Sequence, residues 1–153
     1  MRRIMTIALL STLFLGATAF AADAVVGTWK LNVAKSKFSG TPPKSATRVY
    51  AASADGTSLD QKIVSADGKE MSMHVTIKYD GKDYPVTGNP DGDSVAAKVM
   101  DAHTTDFTIK NGGKVVGTVH RVVSTDGKTL TVNNKGTHSD GKPYDDTLVF
   151  DKQ

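Results

Sequence analysis

Seven tight-turn dipeptides punctuate this chain: Asp55-Gly56, Asp67-Gly68, Asp80-Gly81, Asp91-Gly92, Gly112-Gly113, Asp126-Gly127 and Asp140-Gly141. Successive pairs lie 11 to 14 residues apart, except for the longer gap between Gly92 and Gly112. Asp-Gly accepts the positive φ of a two-residue hairpin turn, and alternating apolar residues on either side make it a hairpin signal. The ladder therefore predicts a β-meander. No stretch carries a 3.6-residue apolar period, which argues against a helical fold.

Cutting at the turns gives ten strands, near 25–31, 46–53, 57–65, 70–79, 83–87, 93–100, 104–110, 114–124, 128–138 and 142–150. A softer turn at Asp101-Ala102-His103 divides the long gap. Between the first two strands lies an irregular stretch, Asn32 to Ser45, with Pro42-Pro43 and room for one helical turn near Ala34 to Phe38. Alternation is clearest at 70–79. Met71, Met73, Val75, Ile77 and Tyr79 share one face, and Glu70, Ser72, His74, Thr76 and Lys78 share the other. One dry and one wet face suit an antiparallel sheet over a single core. Closing ten such strands into an up-and-down barrel removes the two edges that an open sheet would expose. Slim inward residues (Ala51, Val95, Ala97, Val99, Val115, Gly117 and Val119) in a barrel of this width predict interior space.

The ends of the chain separate from this domain. Arg2-Arg3, an apolar run from Ile4 to Phe14 and the A-x-A pattern Ala19-Phe20-Ala21 read as a signal peptide over residues 1–21. Ala22-Asp23-Ala24 offers a second cut, after Ala24. Residues 22–153 then form one domain, and about 130 residues suffice for one core. The apolar run is too short to span a bilayer, so no membrane span remains after processing. The expected location is periplasmic or secreted. Cysteine is absent, which removes disulfides, thiol nucleophiles, cysteine-based metal sites and a lipid-anchoring cysteine. Of 19 basic and 16 acidic side chains, two basic ones leave with the signal. The remaining lysines scatter after turns, which gives nucleic acid no basic stripe to bind.

Gly27-Thr28-Trp29-Lys30-Leu31 on the first strand resembles the G-x-W signature of lipocalins and the G-T-W-K-L start of fatty-acid-binding proteins. Leu148-Val149-Phe150-Asp151-Lys152 is similar in character to the last strand of the latter. The resemblance implies a calycin-type barrel that encloses a small apolar ligand. Two features of fatty-acid-binding proteins are missing: a two-helix lid after the first strand, and an R-x-Y carboxylate clamp in the last. Fatty-acid specificity is therefore not implied. Leu31 to Phe38, Lys78 to Gly88 and Arg121 to Leu130 resemble a family of small secreted bacterial proteins, a likeness that implies location and fold but no chemistry.

That resemblance also implies a role for Trp29 and Arg121: a late arginine packs over the first-strand tryptophan and closes one barrel end, in a contact worth about 0.5–2 kcal/mol. The other reading of Arg121 is an interior anchor for an anionic head group. Gln61, Met71, Met73, Tyr79 and Asn134 join Arg121 as candidate ligand contacts. Met71, Met73 and His74 do not make a copper site, because His74 points away from both methionines. His74, His103, His120 and His138 show no ligand spacing among themselves or with a fixed carboxylate. Asp91-Gly92-Asp93 lacks the downstream glutamate of a calcium loop. There is no G-x-S-x-G and no phosphate-binding glycine loop.

These residues predict a non-catalytic, exported barrel without metal or cofactor that binds a small apolar or amphipathic molecule inside. The alternative is an envelope interaction or support protein with a filled barrel. Its surface would be a partner patch of Tyr50, Tyr84, Tyr144, Phe38 and Pro42-Pro43. A continuous void of about 300 Å³ or more separates the two.

Overall fold

The computed structural model describes residues 24–153, so the predicted signal segment lies outside the described residues. Ten strands follow in chain order: β1 (Gly27–Leu31), β2 (Ser45–Ser53), β3 (Gly56–Val64), β4 (Glu70–Ile77), β5 (Asp83–Thr87), β6 (Ser94–Val99), β7 (Thr104–Asn111), β8 (Lys114–Val123), β9 (Thr129–Thr137) and β10 (Pro143–Lys152). Each pairs antiparallel with its sequence neighbour, and β10 closes on β1 through Trp29–Lys152, Lys30–Asp151 and Leu31–Phe150. The result is the all-β, closed up-and-down barrel that the meander predicts, with strand bounds within two residues of the predicted ones. Among the described residues no helix is long and apolar enough to cross a membrane.

The turn chemistry differs from the two-residue hairpin expected of Asp-Gly. No described non-glycine residue has a positive φ, so the aspartates stay in ordinary backbone regions. In the β8–β9 turn the amide of Gly127 donates to Ser124 O at 2.8 Å, and Gly127 alone adopts a left-handed φ of 68°. This is a type I turn from Ser124 to Gly127 that ends in a left-handed glycine, inside a four-residue loop closed by the Ser124 amide on Thr129 O. The aspartate serves through its side chain. Asp126 Oδ1 accepts the Lys128 amide at 3.0 Å, and Asp80 and Asp140 each accept the amide two residues on at 3.1 Å. These bonds explain the recurring Asp-Gly-Lys: the carboxylate needs an N–H two positions on, and the lysine beyond is solvated.

The same bonds give the fold an acid sensitivity. Asp67 and Asp126 lie below the usual carboxylate range chiefly because Ser65 and Ser124 donate to them; for Asp80 the Lys82 amide is the main cause. A lowered folded-state pKa contributes stability above the unfolded value of about 3.9 and loses it as pH falls through the folded one. Tm should thus be flat from neutral pH to about 5 and fall below about 4. Asp126→Asn should flatten that fall in a thermal series read by circular dichroism.

Strand parity is as predicted with two exceptions. Ala51 faces outwards, because Tyr50 takes the inward place opposite Leu59. Val115 is 62% exposed. A bulge causes this: Ile109 pairs with Gly117 and Lys110 with Val115, which leaves Val116 as an extra residue and turns the strand start outwards.

Chain direction alternates, so the loops fall into two sets. The 3₁₀ turn Val33–Lys35 and the loop after it, the β3–β4 turn, the β5–β6 loop and the β9–β10 turn surround one end, the mouth. The opposite end is filled. Val25, Trp29, Val123, Leu130, Val132 and Phe150 are buried there in one cluster, and the Trp29 indole donates to Val25 O at 2.7 Å. The weakest seam is at β5, which shares only two register pairs with β4 and three with β6, and carries Pro85. Proline gives no ladder donor. In hydrogen exchange the β5 amides should lose protection first among the strands, well before those of β9 and β10, which share nine register pairs.

Candidate functional site

The barrel encloses a cavity of about 940 Å³ that opens at the mouth. Six predicted contacts, Arg121, Gln61, Met71, Met73, Tyr79 and Asn134, all line it. Met71 sits at the rim, beside the β3–β4 turn. The walls are largely apolar: Leu59, Ile63, Val75, Val86, Val119 and Leu148 face inwards from five strands.

Two guanidiniums occupy the half nearer the closed end. Arg121 is 3% exposed and Arg48 is 8% exposed. Among the described residues they are the buried charged side chains. Arg121 lies two residues from the end of β8, with its Cζ 4.8 Å from the Phe107 ring, 5.3 Å from Tyr50 and 5.8 Å from Tyr79. One of its terminal nitrogens donates to Thr105 Oγ1 at 3.1 Å and to Tyr79 Oη at 3.2 Å, while its Nε is buried without a partner. Arg48 stands opposite Trp29 in register. Its Nε donates to Gln61 Oε1, and its Cζ lies 4.8 Å from the Phe150 ring.

This geometry corrects the expected closure. The cation over the Trp29 ring is Lys152, with Nζ at 5.1 Å. The last residue of β10 thus takes the capping role, and Trp29 does not line the cavity. Arg121 is inward and buried under other rings because β8 enters the barrel on the far side, next to β7 and its Phe107.

The acidic side chains around the cavity, Asp67, Asp91, Asp140 and Asp146, lie toward the mouth, and each already has partners. Asp91 accepts from His138 Nδ1 at 2.8 Å and from the Ser139 amide at 2.9 Å, so it ties the β5–β6 loop to the β9–β10 turn across the rim. Asp146 accepts from the amide and hydroxyl of Ser39, both at 2.6 Å, and fastens the first loop to β10. Tyr144 fills the wall between these ties. Its hydroxyl rests over Gly117 and Gly136, which face each other in register; a Cβ on Gly117 would come within 2.5 Å of it. Burial, with the Asp91 and Asp146 carboxylates nearby, pushes the Tyr144 phenol up.

Three histidines do hold fixed carboxylates, contrary to the sequence reading. His138 pairs with Asp91; His74 and His120 pair with Asp60 and Asp106 at 2.6 Å on the exposed face. The latter two partners lie directly opposite in register, 14 residues away, a relation that along-chain spacing cannot reveal. The proposed aromatic surface patch does not exist as such: Tyr50 is buried under Arg121, and Phe38 and Tyr144 line the cavity.

Arg48 and Phe107 were missed from sequence. Arg48 had a usable signal, because Ala46, Arg48 and Tyr50 alternate with Thr47, Val49 and Ala51 and put an arginine on the dry face.

Architecture and cavity together define a closed, ten-stranded barrel of the lipocalin and fatty-acid-binding-protein type. No family profile matches the sequence, and no curated protein sequence does. Two solved structures are similar in fold. One is a zebrafish ileal bile acid-binding protein complexed with cholic acid, at 10% identity and a TM-score of 0.47, covering 85% of this chain and 99% of that one. The other is the siderocalin Ex-FABP, described as having dual ligand specificities, at 11% identity and a TM-score of 0.41, covering 85% and 74%.

Proposed function

We propose that this chain is an exported binding barrel for one small amphipathic anion. The acidic head sits at Arg121 and Arg48, and the apolar body lies along the walls toward the mouth. The observation that carries this is Arg121: a guanidinium 3% exposed, aimed into a 940 Å³ cavity, with no carboxylate partner and an unpartnered Nε. Burying an unpaired charge is costly, and the facing rings and two hydroxyl oxygens offset only part of that cost. An anion would complete the site with charge-assisted hydrogen bonds. The cavity volume falls in the range of small-molecule sites, which favours this reading over a filled barrel with a surface-borne function.

Native mass spectrometry of the protein purified from its own cells tests the reading. A bound organic acid, released by denaturation, is the expected result. An empty barrel that also fails to take up anilinonaphthalene sulfonate would overturn it.

Export belongs to the same proposal and rests on the signal-peptide pattern of residues 1–21. Fractionation followed by N-terminal sequencing should find Ala22 or Val25 first, outside the cytoplasm.

A further inference from the structure

Arg121 and Asn134 stand diagonally across the β8–β9 pair. The register sets Val119 opposite Asn134 and Arg121 opposite Val132. The two polar side chains are thus one inward position apart, about 7–8 Å at the backbone, with Asn134 nearer the mouth. Asn134 Oδ1 is buried and, like Arg121 Nε, has no hydrogen-bond partner. Asp146 is opposite Asn134 on β10, and its carboxylate already accepts from Ser39. Val119 and Leu148 flank this level on the neighbouring strands. The wall one step above the arginine therefore offers acceptors in an apolar surround. A buried carbonyl oxygen calls for a donor as a buried guanidinium calls for an anion.

Building on the interior anion-binding reading, we infer that the ligand is a hydroxylated amphipathic acid. Its acidic group meets Arg121, and a hydroxyl about one strand step further along its body donates to Asn134 Oδ1. An unsubstituted acid leaves that oxygen unpaired. Discrimination of this kind is strong because the site's own buried polar atom is stranded by the wrong ligand.

The test is calorimetric titration of the whole mature protein with dodecanoic acid and a set of its derivatives. These carry a hydroxyl beside the acid, at mid-chain or at the far end, and one is the methyl ether of the mid-chain alcohol. The mid-chain alcohol should bind about fivefold more tightly than the parent acid, with the methyl ether no better than the parent. Asn134→Leu should erase that preference, so that the alcohol binds no better than the parent acid. Equal affinity for alcohol, ether and parent overturns the hydroxyl inference alone, as does a preference for either end position. Failure of every acid to bind overturns the interior anion site and this inference with it. The ether comparison uses the unaltered protein, so the outcome stands even where Asn134→Leu misfolds.

Discussion

Arg121→Met should weaken binding of an anionic amphipath about 100-fold, without destabilising the empty protein. The expected loss follows from removing the buried partner of a charged, hydrogen-bonded head group, which costs roughly 2–5 kcal/mol, or more than one decade in Kd. The stability half of the prediction separates the two readings of this arginine. An anchor held buried for a ligand gives the empty fold only its ring contacts and its bonds to Thr105 and Tyr79, which the cost of burying an unpaired charge offsets, and methionine fills much of the same space. The Tm of the variant should match or exceed the wild type. A loss of more than about 2 kcal/mol in a denaturant titration, with ligand affinity intact, would show that Arg121 holds the barrel together through Phe107, Tyr50 and Tyr79 instead. Arg121→Lys should recover part of the affinity, because the charge remains while the planar fork is lost. Lys98→Met, which removes an exposed cation from the outer face, controls for net charge and should change Kd by less than about twofold.

Trp29→Ala should have the largest effect on folding. The indole is fully buried, donates to Val25 O and anchors the cluster that fills the closed end. Removing it costs about 3–5 kcal/mol, a large share of the roughly 5–15 kcal/mol available to a domain of this kind. Tm should fall by roughly 10–20 °C, as read by circular dichroism. With no cysteine in the chain there is no covalent staple to mask the loss. Lys152→Met should cost far less, about 1 kcal/mol, because it removes only the cation over the ring. A Trp29→Ala protein that melts within a few degrees of the wild type would move the core away from the closed end.

The barrel was legible because its signals are local. An Asp-Gly-Lys turn and a period of two both sit within a dozen residues, and together they set strand number, order and most facings. The turn type was misjudged because the aspartate carboxylate, not a left-handed aspartate backbone, shapes the loop. Val115 was misplaced because a bulge leaves no mark in the pattern. The site was legible one residue at a time. Parity alone placed Arg121, Met73 and Tyr79 inwards. What sequence could not give is which inward residues meet around a closed ring. Arg121 touches Tyr79 from 42 residues away and Tyr50 from the far wall, and Asp91 reaches His138 across 47 residues. The tryptophan–arginine closure, carried over from a resemblance, failed for the same reason: Lys152 is the register partner of Trp29, and Arg121 is not.

A head-group exchange tests the central claim most directly. The wild-type protein is titrated by calorimetry with three amphipaths of one chain length: dodecanoate, dodecanol and dodecyltrimethylammonium. A cationic interior predicts that the carboxylate binds at least about 30-fold more tightly than the alcohol, and that the ammonium does not bind inside the barrel. Equal affinity for all three would mean that the cavity selects by apolar surface alone and that Arg48 and Arg121 are structural.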